Sequence, residues 1–273
     1  MTESILVATD GSEGASAGER CGIALAARLS ARLSGITVVE DRDVRAPGGD
    51  ELATPAFPEA DLAAYYKARA DAVSRRFSER ARGDGLEAAC ETVAGPADDR
   101  IVERGQNTDL IVLGRDGKSS PGRGVLIGGT VEAVVRKSSK SCLVVPTGAT
   151  LGGPIVLGFD GSPGSRSAAS LAVELANGLG ESVHVFVDSK DKGRAVARFE
   201  EVRQLVGGLS VPVRETSSTL GRPDVKLVDT AREARAGLIV IGAYGRNRIS
   251  DYFIGSNAAS VVRTSPIGVV LAR

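Results

Sequence analysis

The stretch Ile5–Gly14 reads ILVATDGSEG, and the stretch Ile155–Gly164 reads IVLGFDGSPG. Each is an apolar run that leads into Asp-Gly-Ser-x-Gly, and each is followed by an Ala-rich segment of helical period. A second pair of stretches, DLIVLG at Asp109–Gly114 and GLIVIG at Gly237–Gly242, also matches. Because both matches recur in the same order, the sequence predicts two tandem copies of one module.

The two copies differ mainly by an insertion. The interval between the two matching motifs is 22 residues longer in the first copy. We place the extra residues around 41–60, where a segment rich in Pro, Gly and acidic residues predicts a surface loop or lid. The linker spans 146–154 and is bounded by prolines. These limits predict a first domain at 1–147 and a second at 154–273.

The composition is that of an ordinary globular protein. Lys plus Arg and Asp plus Glu are equal at 34 each, so no net charge favours nucleic acid or an anionic membrane. No apolar run reaches the roughly 18 residues typical of a membrane span. The N-terminus has no signal-peptide pattern, and we therefore expect a cytoplasmic protein.

Cysteine and histidine are sparse. The three cysteines are far apart in the sequence: Cys21, Cys90 and Cys142. They are interpreted as small buried residues rather than as zinc ligands or disulfide partners. The single histidine, His184, lies in the strand-like segment VHVFVD and is interpreted as a packed strand residue. A catalytic Ser-His-Asp or Cys-His arrangement is therefore not expected.

Short Val/Ile/Leu runs alternate with amphipathic segments in both copies. The predicted strands are 4–8, 36–39, 87–93, 110–113 and 142–145, then 155–159, 183–187, 211–215, 238–241 and 268–271. The predicted helices are 15–33, 59–82, 96–104 and 130–136, then 165–178, 192–205, 223–234 and 257–263. This alternation indicates α/β domains with buried parallel strands.

In such sheets, ligands bind beyond the carboxyl ends of the strands, where the strand order reverses. The Asp-Gly-Ser motif after strand one and a glycine loop after strand four should meet there. In the second copy the loop begins Gly242-Ala243-Tyr244-Gly245 and ends Gly255-Ser256-Asn257, directly before a helix.

Two interpretations of this glycine loop stay open. Backbone N–H groups at a helix start favour phosphate, Ser256 adds a hydroxyl donor, and Arg246 and Arg248 would add positive charge. Alternatively, the glycines serve only as turn and helix-cap residues. The recurrence of the loop in both copies, after a strand and before a helix, favours the binding interpretation.

The spacing G-x2-G-x9-G-[ST], paired with the early Asp-x-Ser, resembles the ATP-binding universal stress proteins, here as two tandem copies. The resemblance implies two Rossmann-like domains of the adenine nucleotide alpha hydrolase-like type. Each would hold a five-stranded parallel sheet of order 3-2-1-4-5 with helices on both faces. It also implies ATP, or ADP or AMP, as the ligand, with or without Mg²⁺.

The resemblance assigns roles to residues of the second copy. Asp160 would contact the adenine end, together with backbone near Phe186. Ile241 and Gly242 would line the ribose and phosphate region. The full candidate set in this copy is Asp160, Ser162, Phe186, Ile241, Gly242, Gly245, Arg246, Gly255, Ser256 and Asn257. The corresponding set in the first copy is Asp10, Ser12, Val38, Leu113, Gly114, Gly117, Gly128, Gly129 and Thr130.

The first copy departs from the family pattern. Ten residues, not nine, separate Gly117 from Gly128, and Gly129 stands where Ser or Thr is expected, with Thr130 one position later. Asp116 places a negative charge in the loop that should oppose phosphate. Three nearby basic residues would offset it: Arg115, Lys118 and Arg123. This copy either binds nucleotide or serves as a structural partner for the second.

Three functions follow as hypotheses. The chain acts as a nucleotide-binding regulator or sensor in a stress response, as a slow ATPase, or as an interaction scaffold that does not depend on nucleotide. We expect the two domains to pack as an intramolecular pseudo-dimer through their last strands, as the resemblance implies. A homodimer of the whole chain stays open. No nucleic-acid or membrane partner, no metal site and no catalytic residue is predicted.

Overall fold

Strands and helices alternate along the first half of the chain. The computed structural model describes residues 2–40, 59–117, 128–207, 212–243 and 255–273. The first half contains β1 (Ser4–Ala8), α1 (Glu13–Leu29), β2 (Arg32–Val39), α2 (Glu59–Gly83), β3 (Ala89–Ala94), α3 (Ala97–Gly105), β4 (Leu110–Gly114), α4 (Gly129–Lys137) and β5 (Ser141–Val145). Most of the insertion predicted around 41–60 lies outside the described residues.

The second half repeats the same succession. It contains β6 (Ile155–Gly158), α5 (Pro163–Leu179), β7 (Val183–Asp188), α6 (Lys192–Leu205), β8 (Val213–Ser218), α7 (Pro223–Glu233), β9 (Leu238–Gly242), α8 (Ser256–Thr264) and β10 (Gly268–Ala272). Most bounds agree with the sequence prediction to within a few residues.

The described strands form one sheet of ten, in the order β3-β2-β1-β4-β5-β10-β9-β6-β7-β8. Within each half the strands are parallel and follow the expected order 3-2-1-4-5. The predicted fold class, two tandem Rossmann-like α/β domains, is therefore confirmed.

The two halves join through β5 and β10, which pair antiparallel. Leu143 lies opposite Val270, and these two residues occupy matching positions in the repeat. A pseudo-twofold axis therefore passes through this pair. The seam extends to the helices, because Arg28 of α1 forms a 3.1 Å ion pair with Glu181, beyond the end of α5.

Apolar side chains pack on both faces of the sheet. On β1, Ile5 and Val7 face one core while Leu6 and Ala8 face the other, as the alternation of a strand requires. The first core is covered by α1, α2, α5 and α6, and the second by α3, α4, α7 and α8. Both cores contain residues from the two halves, so they are continuous across the seam.

The first predicted helix, 15–33, is wrong at its C-terminal end. The helix ends at Leu29 because Ser30 adopts a left-handed backbone conformation (φ 54°), and its N–H bonds back to the carbonyls of Ala26 and Ala27. The chain then enters β2 at Arg32, so the predicted strand 36–39 begins too late. At the end of α5 the same position is Gly180 (φ 66°), where a left-handed turn is easily recognised.

We expect the seam to be a main source of stability. Leu143→Ala removes a fully buried side chain at the pseudo-twofold axis and should lower the free energy of unfolding by about 2–5 kcal/mol. The measurement is urea unfolding followed by circular dichroism. The control is Leu220→Ala, an exposed position that should change stability by less than about 0.5 kcal/mol. Equal losses of stability in the two variants would contradict the role of the seam in stability.

Candidate functional site

The Asp-Gly-Ser motif of the second half forms a tight turn at the end of β6. Gly161 takes a left-handed conformation (φ 75°), and the N–H of Ser162 donates to Oδ1 of Asp160 at 2.9 Å. The Ser162 hydroxyl accepts a 3.2 Å bond from the N–H of Ser165 and so caps α5. This turn fixes the Asp160 carboxylate at the carboxyl edge of the sheet.

The first half contains the same turn. Gly11 has φ 76°, the N–H of Ser12 donates to Oδ1 of Asp10 at 2.9 Å, and the Ser12 hydroxyl caps α1 through Ala15. The two serines therefore have a defined role as helix caps.

Glycines bring the start of each first helix against the end of strand four. A Cβ on Gly242 would lie 2.6 Å from the carbonyl carbon of Gly164, and a Cβ on Gly114 would lie 2.3 Å from the carbonyl oxygen of Gly14. Only residues without a side chain permit this approach. The approach places the Asp-Gly-Ser turn and the glycine loop on two sides of one cleft in each half.

The second cleft has a volume of about 540 Å³. Its described lining residues are Gly158, Phe159, Asp160, Ser162, Ser165, Phe186, Asp188, Pro223, Asp224, Leu227, Ile241, Gly242, Gly255, Ser256, Asn257, Ala258 and Val261. The structure thus brings together all the candidates of this copy that it describes. Gly245 and Arg246 lie outside the described residues.

One wall of the second cleft is the N-terminus of α8. Gly255 is the N-cap and offers no side-chain bond, while the first helical bond runs from the N–H of Ala259 to the carbonyl of Gly255 at 2.9 Å. The N–H groups of Ser256, Asn257 and Ala258 thus precede the helical ladder and have no side-chain cap from Gly255. The first turn carries no acidic residue. These donors and the helix dipole make this wall suited to an anion.

Asp188 is a site residue that sequence reasoning missed. Strand register aligns Phe186 with Gly158 and Ile36 with Ala8, so the counterpart of Val38 is Asp188 rather than Phe186. Asp188 lines the cleft, and its Oδ1 is buried with no hydrogen-bond partner among the described residues. An unpaired buried acceptor is unfavourable and suggests a ligand donor. Aligning the ends of the two second strands would have found it.

Asp224 at the start of α7 is a second missed residue. Its Oδ2 accepts a 2.8 Å bond from the Ser260 hydroxyl of α8, and Arg222 lies 3.8 Å away. Burial acts to raise the pKa of Asp224, but the Ser260 bond and the Arg222 charge outweigh it and hold that pKa below its usual value. No sequence pattern links positions 224 and 260, so only the fold reveals the pair.

The first cleft has nearly the same volume, about 490 Å³. Its described lining residues are Ala8, Thr9, Asp10, Ala15, Ile36, Val38, Glu40, Ala97, Asp98, Ile101, Leu113, Gly114, Asp116, Gly117, Gly128, Gly129, Thr130, Val131 and Ala133. Eight of the nine candidates of this copy are among them, and Ser12 is not. The described residues of the first copy therefore form a cleft of nearly the same size as those of the second.

Charges near the first cleft agree in part with the sequence expectation, because Arg115 does lie beside Asp116. The Asp116 carboxylate accepts a 3.0 Å bond from the Thr147 hydroxyl and lies 3.3 Å from Nε of Arg115, so its charge is partly compensated. Lys118 and Arg123 lie outside the described residues. The helix wall, α4, carries exposed Glu132 in its first turn, where the second domain has Ala259. Glu132 makes this wall less favourable for an anion.

A buried ion pair ties α2 to the first Asp-Gly-Ser turn. Glu19 is fully buried on α1, pairs with Arg80 of α2 and accepts a bond from the Thr9 hydroxyl. Arg76 of α2 donates to the carbonyl of Gly11 at 3.3 Å. The second domain has Ala169 at the position of Glu19 and lacks this arrangement. The two clefts are thus supported differently.

The sparse reactive residues follow the sequence interpretation. Cys21 and Cys142 are buried and Cys90 is half-buried; burial raises the pKa of Cys21 to about 12 and of Cys90 and Cys142 to about 11. His184 lies in β7, and its Nε2 is 2.7 Å from the Thr216 hydroxyl. Burial and Arg214 lower the pKa of this histidine. These surroundings indicate packed residues.

The part of the chain that the structure describes contains no group of three or more His, Cys, Asp or Glu side chains placed to hold a metal ion. None of its helices is long and apolar enough to cross a membrane.

The fold and its paired clefts define a tandem Rossmann-like α/β protein. The sequence model of the universal stress protein family matches residues 1–146 and again residues 153–273. The chain therefore belongs to the universal stress protein family and is of the tandem type.

Individual relatives agree with this assignment. A universal stress protein of Mycobacterium tuberculosis is 27% identical over 194 residues, which cover 63% of this chain and 64% of that protein. The match thus spans less than two thirds of the relative's length. A universal stress protein of Thermus aquaticus is 31% identical over 133 residues, 44% of this chain and 97% of that protein. The crystal structure of a universal stress protein from Archaeoglobus fulgidus superposes with a TM-score of 0.81 at 18% identity, covering 100% of this chain and 99% of that one.

The Ser260–Asp224 bond should make stability depend on pH. The pKa of Asp224 is lower in the folded chain than the unfolded value of about 3.9, so its contribution is complete above that value and is lost as pH falls through the folded pKa. Ser260→Ala should therefore cost about 1–2 kcal/mol at pH 7 and progressively less below about pH 4. Urea unfolding between pH 7 and pH 3 measures this.

Ser170→Ala is the matched control for this experiment. The Ser170 hydroxyl donates to the carbonyl of Arg166 within α5 and, among the described residues, to no carboxylate, so the small effect of this substitution on stability should not vary with pH. A loss for Ser260→Ala that stays constant with pH would contradict the role of Asp224.

Proposed function

We propose that this chain is a nucleotide-binding universal stress protein whose second domain binds an adenine nucleotide. The proposed ligand is ATP, with ADP or AMP as alternatives. The observation that carries the proposal is the N-terminus of α8, which receives no side-chain cap from its N-cap residue Gly255 and forms one wall of the 540 Å³ cleft beyond β6, β7 and β9. A helix start of this kind favours phosphate groups. The volume lies within the range usual for ligand sites.

The residues around this cleft suit the two parts of such a ligand. The N–H groups of Ser256, Asn257 and Ala258 would hold phosphate oxygens. Asp160 and Asp188 line the same cleft and offer carboxylate acceptors that suit the amino group of adenine. Three apolar side chains of the lining suit a purine ring: Phe186, Leu227 and Ile241.

The first cleft is the weaker candidate for nucleotide. Its volume and its Asp10 turn resemble those of the second cleft, but Gly129 replaces the serine hydroxyl and Glu132 adds a negative charge to the helix wall. We therefore rank the second domain above the first in affinity for nucleotide.

We propose a regulatory role rather than a catalytic one. Nucleotide binding changes a protein's behaviour only if two conformations differ in affinity for it. The two domains share continuous cores and one sheet, so a change at one cleft has a packed route to the other domain. Occupancy of the second cleft would then bias the surface that the whole chain presents to other proteins.

The direct experiment measures whether the purified protein carries bound nucleotide or binds added nucleotide. Acid-denatured protein should release adenine nucleotide detectable by ion-exchange chromatography, or the stripped protein should bind added ATP in isothermal titration calorimetry. Absence of both released nucleotide and titration heat would contradict the proposal for both clefts.

Paired variants should identify the cleft. Ser256→Asp and Gly129→Asp place a carboxylate at the first residue of α8 and of α4, respectively, where it suits the helix dipole and should not disturb folding. Ser256→Asp should weaken ATP binding by more than about tenfold, because like charges about 4 Å apart near a protein surface repel by several kcal/mol. Gly129→Asp should have little effect. The opposite order would overturn the ranking of the domains.

Asp188 should determine base preference. Asp188→Val introduces the residue of the matching first-domain position and removes an acceptor that favours adenine's amino group over guanine's carbonyl oxygen. The ratio of GTP to ATP dissociation constants should fall by roughly fivefold to tenfold, the value of about one hydrogen bond. Asp224→Asn, on the α7 side of the cleft, serves as the control. An unchanged ratio in Asp188→Val would remove Asp188 from base recognition.

A further inference from the structure

Arg115 crosses from the first domain to a helix of the second. It follows β4, and its guanidinium Nη1 donates to the carbonyl of Ser265 at 2.8 Å and to that of Arg263 at 3.1 Å, with the carbonyl of Val262 at 3.4 Å. The side chain is only 13% exposed. These three carbonyls stand at the C-terminal end of α8, whose other end lines the second cleft.

The Arg115 contact satisfies carbonyl groups at the C-terminal end of α8. The last carbonyls of a helix have no partner within it and carry the negative end of its dipole, so a cation there is favourable. The helix α8 has nine residues and spans about 13 Å. The second core holds the buried face of this helix, and the first domain holds its C-terminal end.

The pseudo-twofold symmetry does not reproduce this contact. The counterpart of Arg115 is Ala243, whose carbonyl accepts from Gly255 at 3.2 Å just as that of Arg115 accepts from Gly128 at 3.3 Å. Its methyl group cannot reach the first domain's helix. The reverse contact comes from Arg273, which donates to the carbonyl of Val135 at the end of α4 and stands where the first domain has Pro146.

We propose that Arg115 is a positioning residue for nucleotide in the second cleft, contributed by the first domain. The proposal rests on the proposed function of that cleft. By holding the C-terminal end of α8, Arg115 keeps the N–H groups of Ser256, Asn257 and Ala258 directed at the phosphates.

Arg115 also connects the two clefts. Its neighbours in sequence, Gly114 and Asp116, line the first cleft, and its Nε lies 3.3 Å from Oδ1 of Asp116. A ligand in the first cleft that shifts this segment would shift α8. Since linkage is reciprocal, nucleotide in the second cleft would change affinity in the first by the same factor.

The test compares Arg115→Met with Arg273→Met in the full chain, both on the Gly129→Asp background so that the second cleft dominates binding. Each variant loses a guanidinium that bonds to carbonyls at a helix end of the other domain, and both should lower the melting temperature. Only Arg115→Met should weaken ATP binding, by roughly fivefold or more. Arg115→Lys should recover most of the affinity, because the bonds to the carbonyls at the end of α8 all come from one nitrogen, which an ammonium can replace.

Equal ATP affinity in Arg115→Met and Arg273→Met would overturn the proposal. A parent protein that binds no ATP would instead contradict the proposed function. In that case hydrogen–deuterium exchange decides the positioning role: amides of Ala259 to Val262 should exchange faster in Arg115→Met than in Arg273→Met. Equal exchange in the two variants would overturn the role of Arg115 as well.

Discussion

The antiparallel pairing of β5 with β10 is the constraint on which the rest of this structure depends. It turns two five-stranded sheets into one and makes both apolar cores continuous. It also brings the C-terminal ends of α4 and α8 within reach of arginines from the opposite domain. Each of these two strands covers the edge of the other, which would otherwise expose unpaired N–H and carbonyl groups.

Close packing of glycines at the carboxyl edge of the sheet creates both clefts. The clefts differ in the side chains that line them. The same glycine contacts and the same Asp-Gly-Ser turns occur in both domains, so the backbone frame is duplicated. The side chains on that frame have diverged: Val38 matches Asp188, Gly129 matches Ser256, and Glu132 matches Ala259. Two clefts of similar volume therefore differ in charge and hydrogen-bonding groups, and a change in specificity does not require a change in fold.

Sequence reasoning predicted most of the frame and part of the site. The repeat, the alternation of strands and helices and the resemblance gave the fold, because those signals are local or recur. Three features could not be predicted from the sequence. Nothing local showed that Ser30 would turn left-handed, that Ser260 would meet Asp224, or that the Asp116 carboxylate would bond to Thr147. Asp188 was missed because a two-residue misalignment of the second strands drew attention to Phe186 instead.

The second cleft combines carboxylates with N–H donors, and under the proposed function this combination favours one orientation of a nucleotide. Asp160 and Asp188 stand on the side of β6 and β7, whereas the helix start at Ser256 presents N–H donors. A phosphate near the carboxylates would be repelled, and an amino group near the helix start would meet only donors. Each misplaced group costs binding energy, so a reversed orientation is unfavourable. This preference requires α8 to stay in place, and under the role proposed for Arg115 the first domain takes part in the recognition of a ligand that it does not touch.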